Sequence, residues 1–153
     1  MRHFLKAVTL VLACMMSNAM AADAGGRASA DEAVAMVKKA VAYLKANGKD
    51  KAFAEFNNPG GQFVDRNLYI FVYDMNGTCV AIGNNPRMIG KVLIDLRDPD
   101  GVFQVRRFIE VANTSGHGWV DYKWPNPVSK VMEAKSSYVE KADEFVIGAG
   151  IYK

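Results

Sequence analysis

Hydrophobic residues recur along this chain at two different periods, and the change of period divides it into elements. Val34, Val37, Val41 and Leu44 are spaced three and four apart, with Lys38, Lys39 and Lys45 off that stripe, which predicts an amphipathic helix. Ser29 followed three residues later by Glu32 makes a capping box at its start, and Asn47-Gly48 stops it. A second, short helix is predicted over 50–56, before the loop Asn57-Asn58-Pro59-Gly60-Gly61. Residues 68–73 are then aromatic and β-branched and read as a central strand covered on both faces. Asp74-Met75-Asn76-Gly77 is a tight-turn signal that returns 78–82 as its hairpin partner. Mixed polarity over 87–97 leaves room for one helical turn. Asp98-Pro99, a cap residue with Pro at the first turn, predicts a helix that ends near Ser115-Gly116. Strand signals over 118–124, about 131–139 and 145–152 close the chain. Helix, hairpin, helix and antiparallel meander make an α+β domain, one antiparallel sheet with helices against it.

The first residues follow a different pattern. Arg2, His3 and Lys6 precede the uncharged apolar run 7–16, and Ala19-Met20-Ala21 is a small-x-small cleavage pattern. The run is too short to span a bilayer. The expected organisation is an export signal over 1–21, cleaved after Ala21, a flexible N-terminus over 22–29 and a single domain over 30–153; the expected compartment is the periplasm. Cleavage removes Arg2 and Lys6 from the 19 basic residues and leaves 17 against 16 acids, so the net charge falls from +3 to +1. With no basic cluster besides, the charge makes no case for nucleic acid. Cleavage also removes Cys14 and leaves Cys79 alone, between Thr78 and Val80, where a buried inert thiol is expected. No later segment is long and apolar enough to cross a membrane.

Several blocks resemble a known family. Asp74-x-Asn76-Gly77-Thr78, Asn85-Pro86-x-x-Ile89-Gly90-Lys91, the run from Gly118-Trp119-Val120-Asp121-Tyr122 through Lys123-Trp124-Pro125-Asn126-Pro127, Lys135-Ser136-Ser137-Tyr138-Val139 and Val146-Ile147-Gly148-Ala149-Gly150-Ile151-Tyr152 are similar to the single-Cache domain of the second type, sCache_2. The resemblance runs over about 31–153, and the 118–127 block is its specific part. It implies a PAS-like fold with a long N-terminal helix packed on a five-stranded antiparallel sheet. It also implies extracytoplasmic sensing of small molecules, often short organic acids, in the service of signal transduction and chemotaxis. Relatives mostly sit within chemoreceptors or sensor kinases, between transmembrane helices, and often carry a His where this chain has Ile82.

Chemistry-bearing residues are sparse. His117 is the one histidine beyond the export signal, no carboxylate cluster has metal-ligand spacing, and no nucleophile elbow is present. The expectation is a non-catalytic module with no cofactor and no metal. Gly148-x-Gly150 lies inside a terminal strand with no helix after it, so these glycines let another element approach the sheet. A carboxylate pocket needs a cation and a few donors in an apolar wall. Arg106 flanks the apolar stripe Val102, Val105, Ile109 and Ala112 and either turns inward to a ligand or pairs with Glu110, while Arg107 faces water. Alternation places Tyr122 and Trp124 with Val120 on one face of their strand, and sets Lys135 and Ser137 against Ser136 and Tyr138 on the next. Arg106, Tyr122, Trp124 and Lys135 are the first candidate contacts, with Tyr138, Phe71 and Met88 after them. The aromatic residues and Met88 serve equally as core, and Lys135 as a solvated strand lysine. The expected ligand is a small organic acid and the expected partner a membrane-bound sensor kinase or chemoreceptor. The alternative expectation is a protein-interaction module with a vestigial pocket that docks on such a sensor.

Overall fold

Residues 26–153 are described in a computed structural model of the chain; the expected export signal and its cleavage site lie outside the described residues. Helix α1 (Ala30–Asn47) begins as its capping box requires: the Glu32 N–H donates to Ser29 Oγ (3.2 Å) and the Ser29 N–H donates to Glu32 Oε2 (2.6 Å). It ends where Gly48 takes a positive φ of 78° and donates its N–H to Leu44 O (2.9 Å). Ser29→Ala removes one half of that box, and a loss of about 1 kcal/mol in chemical denaturation is expected; an unchanged midpoint would mean the box adds nothing. Helix α2 (Lys49–Phe56) follows directly.

Residues 68–73 do not form one strand. β1 (Val64–Asp65) and β2 (Leu68–Tyr69) make a small hairpin, and β3 (Phe71–Asp74) belongs to the main sheet. Ile70 is the junction, donating its N–H to Phe63 O and accepting at its carbonyl from Gly83 N. The main sheet continues with β4 (Cys79–Ile82), β5 (His117–Pro125), β6 (Met132–Ala142) and β7 (Phe145–Tyr152), in the spatial order β4-β3-β7-β6-β5, with every pair antiparallel. Five antiparallel strands under a long N-terminal helix are the architecture expected.

The helix between β4 and β5 starts later than Asp98-Pro99 predicts. α3 is Gln104–Thr114. The Asp98 carboxylate is occupied otherwise: Oδ1 accepts from the N–H groups of Asp100 and Val102, and Oδ2 accepts from Lys123 N on β5. The cap residue thus closes a turn and pins it to the sheet edge, and Gly101, at φ 84°, ends the turn before a helix can form. One 3₁₀ turn, Pro86–Met88, is the single turn expected in the preceding stretch.

Two apolar layers flank the sheet. On one face α1 buries Ala33, Val37, Ala40 and Leu44 against Val72, Ile147 and Ala149. On the other, α3 buries Val105, Phe108 and Ala112 against Phe71, Tyr73, Val120, Tyr122 and Val139. Cys79 is buried in this second layer, and burial pushes its thiol up to about 12, so it stays protonated and inert.

Candidate anion-binding chamber

Among the described residues, the layer under α3 buries one lysine. β6 alternates so that Lys135, Ser137 and Val139 face α3, and the side chain of Lys135 runs inward until the residue is only 1% exposed. Its Nζ donates to the Tyr69 hydroxyl (2.8 Å) and lies over aromatic rings, 4.2 Å from the Tyr69 centroid, 4.9 Å from that of Tyr152 and 5.8 Å from that of Phe71. Tyr69 Oη stands 3.5 Å from Tyr152 Oη, and the Tyr152 hydroxyl donates to Pro125 O (2.9 Å). No carboxylate of the described residues reaches within ion-pair distance of Nζ. Burial without a counter-ion depresses the amine to about 7.

Two glycines make the space. A Cβ on Gly150 would stand 2.6 Å from Lys135 Cε and 3.0 Å from Ser136 O. A Cβ on Gly148 would stand 2.5 Å from the Phe71 ring and 2.9 Å from Val139 Cγ1. Side chains of the adjacent strands β3 and β6 therefore cross the bare backbone of β7, in place of the separate element that Gly148-x-Gly150 predicts.

Beside Tyr69 lies a small void of about 10 Å³, walled by Tyr69, Phe71, Tyr73, Ile82, Gln104, Phe108, Tyr122 and Trp124, room for about one water. Tyr122 Oη and Ser137 Oγ are hydrogen bonded across its edge (2.9 Å). Burial raises the hydroxyls of Tyr69 and Tyr122 well above the ordinary tyrosine range, so both remain neutral donors. Trp124 and Gln104 also wall a second, open basin of about 500 Å³, with Met88, Leu96, Arg97 and Met132 on its far side. The two spaces share these two residues as their partition. With its side-chain amide turned so that nitrogen and oxygen exchange places, Gln104 is held there by donating to the carbonyls of Val102 (2.9 Å) and Leu96 (3.2 Å). Trp124 is half-buried, and its side chain is among those that act on the Tyr69 hydroxyl. Asn84 Oδ1 is a buried acceptor with no partner, and its side chain is among those that act on the Tyr69 hydroxyl.

The structure gathers Phe71, Tyr122 and Trp124 around the void, sets Lys135 against two of its walls, Tyr69 and Phe71, and places Met88 in the outer basin. It separates two others. Tyr138 faces α1 on the opposite side of the sheet and donates its hydroxyl to Glu140 (3.1 Å), because strand alternation gives it the other face from Lys135. Arg106 points to solvent: its side chain is 51% exposed, pairs with Asp95, donates from Nε to Ile94 O (3.1 Å) and lies over the Phe103 ring. The reason is the phase of the helix. Val102 precedes α3 and Phe108 joins the buried stripe, which turns its centre away from Arg106 by about 50°. Glu110 pairs with Arg107 instead (2.7 Å). Sequence reasoning missed Tyr69, Tyr73, Gln104 and Tyr152. Alternation along 68–73 and 145–152 carries a signal for Tyr73 and Tyr152, since it sets them on the face of Phe71 and Gly150.

The largest groove, about 620 Å³, opens at the β4 end of the sheet and is lined by Phe53, Val80 and Phe145 with Asp50, Asp74 and Glu144. Its three carboxylates outnumber its one lysine, Lys49, which disfavours an anion there. No group of three or more metal-ligating side chains occurs among the described residues.

Comparison with known proteins bears on this layout. The profile of dCache_2, described as a Cache domain, matches residues 37–153. The chain is 30% identical over 90 residues to the methyl-accepting chemotaxis protein McpP of Pseudomonas putida, which covers 58% of this chain and 16% of that protein. It is 34% identical over 86 residues to the sensor histidine kinase MctS of Rhizobium johnstonii, covering 55% and 18%. The chain thus spans less than a fifth of the length of these curated relatives. Among solved structures, a methyl-accepting chemotaxis protein from Vibrio parahaemolyticus superposes with a TM-score of 0.69 at 27% identity, over 80% of this chain and 86% of that one. A Cache chemosensory domain, reported for its carboxylic acid recognition, superposes with a TM-score of 0.67 at 23% identity, over 80% and 91%, a likeness of fold. With a profile match over most of its length and a PAS-like sheet to go with it, the chain belongs to the Cache-domain family, in its single-Cache form.

Proposed function

We propose that this domain senses a small organic acid by holding its carboxylate at Lys135. It is read as an exported, non-catalytic, periplasmic module that feeds a signal-transduction system through a membrane-bound chemoreceptor or sensor kinase. One observation carries this reading: a lysine amine enclosed by aromatic rings, with a hydroxyl donor beside it and no carboxylate to neutralise it. A buried cation without a counter-ion is unfavourable by several kcal/mol, and a carboxylate bound beside it would offset that cost. An acid larger than one water enters only if the void widens. Trp124, half-buried between void and outer basin, is the wall whose displacement would join the two spaces.

Isothermal titration of the protein against C2 to C4 carboxylates, paired with thermal shift, tests this. Acetate or propionate is expected to bind and to raise the melting temperature. Arg106→Ala is expected to leave the affinity within about twofold, because that side chain faces solvent. Silence across the whole panel removes the sensing reading. The smallness of the void favours a second reading in that event, an interaction module with a vestigial pocket that docks on a membrane sensor, which co-purification with membranes would reveal.

A further inference from the structure

Every element that packs around Lys135 presents it with uncharged groups. β2 contributes Tyr69, β3 contributes Phe71, and β7 contributes Tyr152. Tyr73, Tyr122, Gln104 and Phe108 close the adjoining void from β3, β5 and α3. Glu133 acts on Tyr152 and is itself bound to Arg27, Asn126 and Ser129. Of the three N–H bonds an ammonium would have, one meets an acceptor, Tyr69 Oη. A neutral amine suits this enclosure better, since its lone pair can accept the Tyr69 O–H in the same contact. An arriving carboxylate reverses the preference, because it supplies the charge and the acceptor atoms that the enclosure lacks.

Resting on the carboxylate-site reading, we propose that this chamber loads its ligand as an anion together with a proton: Lys135 is a neutral amine when the chamber is empty and an ammonium when it is filled. The balance is R–COO⁻ + H⁺ + Lys135–NH₂ → R–COO⁻···⁺H₃N–Lys135, so the occupied and empty chambers carry the same net charge. The proton comes from solvent. The midpoint of about 7 for the empty site places the exchange in the neutral range. The device makes the domain report the acid and the acidity jointly, and one cation against one charge selects monocarboxylates over dianions.

Two measurements on the intact protein decide it. In the ligand-free protein labelled with ¹³C-lysine, the Lys135 Cε resonance, assigned by its loss in Lys135→Met, is expected to titrate near pH 7. A Lys135 resonance that holds its ammonium position up to pH 9 overturns the proposal. Isothermal titration with acetate and with propionate at pH 8, in two buffers of different ionisation enthalpy, is expected to show close to one proton taken up per acid. The affinity should fall about tenfold from pH 8 to pH 9. Binding with no proton uptake and a flat pH profile overturns the proposal and leaves the anion site standing. Absence of binding to both acids overturns the anion site, and the coupled loading with it.

Discussion

Lys135→Met is expected to abolish acid binding and, at the same time, to make the empty domain more stable by about 3 kcal/mol at pH 7. The amine sits among Tyr69, Tyr152 and Phe71 with a depressed midpoint of about 7, against an ordinary lysine value of 10.5. The unfolded chain therefore binds a proton between those limits that the folded chain does not. Stability rises with pH wherever the unfolded state binds more protons. The wild-type protein should accordingly gain about 1.4 kcal/mol per pH unit from about pH 7 upward. Above about pH 9 the trend turns. Cys79, pushed up to about 12, and the buried tyrosines, raised above their ordinary range, keep protons in the folded state that the unfolded chain releases. Methionine fills a similar volume without a charge, so the variant loses the rise between pH 7 and 9 and keeps the fall beyond it. Urea unfolding of both proteins at pH 6, 7, 8 and 9 reads this out. A variant less stable than wild type, or one with the same pH slope, would show that the amine is well accommodated in the empty fold. That result would remove the reason for an anion to bind there.

The second large effect lies under that side chain. Gly150→Ala places a methyl group against Lys135 Cε, Ser137 Oγ and the carbonyl of Ser136, and Gly148→Ala places one in the Phe71 ring and Val139. The Ser136 carbonyl is paired backbone and the Phe71 ring is held by Phe108 at a centroid distance of 5.1 Å, so neither neighbour can step aside. Each substitution is expected to lower stability by about 3 kcal/mol. Gly150→Ala should also weaken acetate binding at least tenfold, because Lys135 must leave its path across β7. Gly60→Ala is the control: the nearest atom is Asn58 Oδ1 at 3.8 Å and φ there is ordinary, so a change within about 0.5 kcal/mol is expected. If Gly148→Ala and Gly150→Ala melt with the wild type, the bare backbone of β7 is not what makes room for the chamber.

Much of the architecture was legible before any coordinates, for local reasons. Ser29 and Glu32 satisfy each other's backbone donors wherever the chain is helical after them, so the start of α1 is written in four residues. Asp74-Met75-Asn76-Gly77 closes its own turn through the Asp74 carboxylate and the positive φ of Gly77. The alternation in β5 and β6 correctly divided Tyr122, Trp124 and Lys135 from Tyr138. The start of α3 was not legible, because Asp98 could cap a helix or close a turn, and the deciding partner, Lys123 N, lies 25 residues away. Arg106 failed for the same kind of reason. Its direction depends on which side of α3 the sheet accepts, and that is set by Phe108 stacking on Phe71 and meeting Tyr122.

What the sequence determined by itself is the order and kind of the elements outside 64–73, the family, and the list of residue types from which a site could be made. Each of these rests on interactions between residues a few positions apart, which composition and period expose directly. What only the tertiary structure decided is that Lys135, rather than Arg106, is the enclosed cation. Enclosure is a sum over distant partners: Tyr69 from one hairpin, Tyr152 from the last strand, and Gly150 of β7, which lets the side chain cross beside it. No local pattern encodes that sum, because a strand lysine facing water and one facing a ring of tyrosines have the same neighbours in sequence.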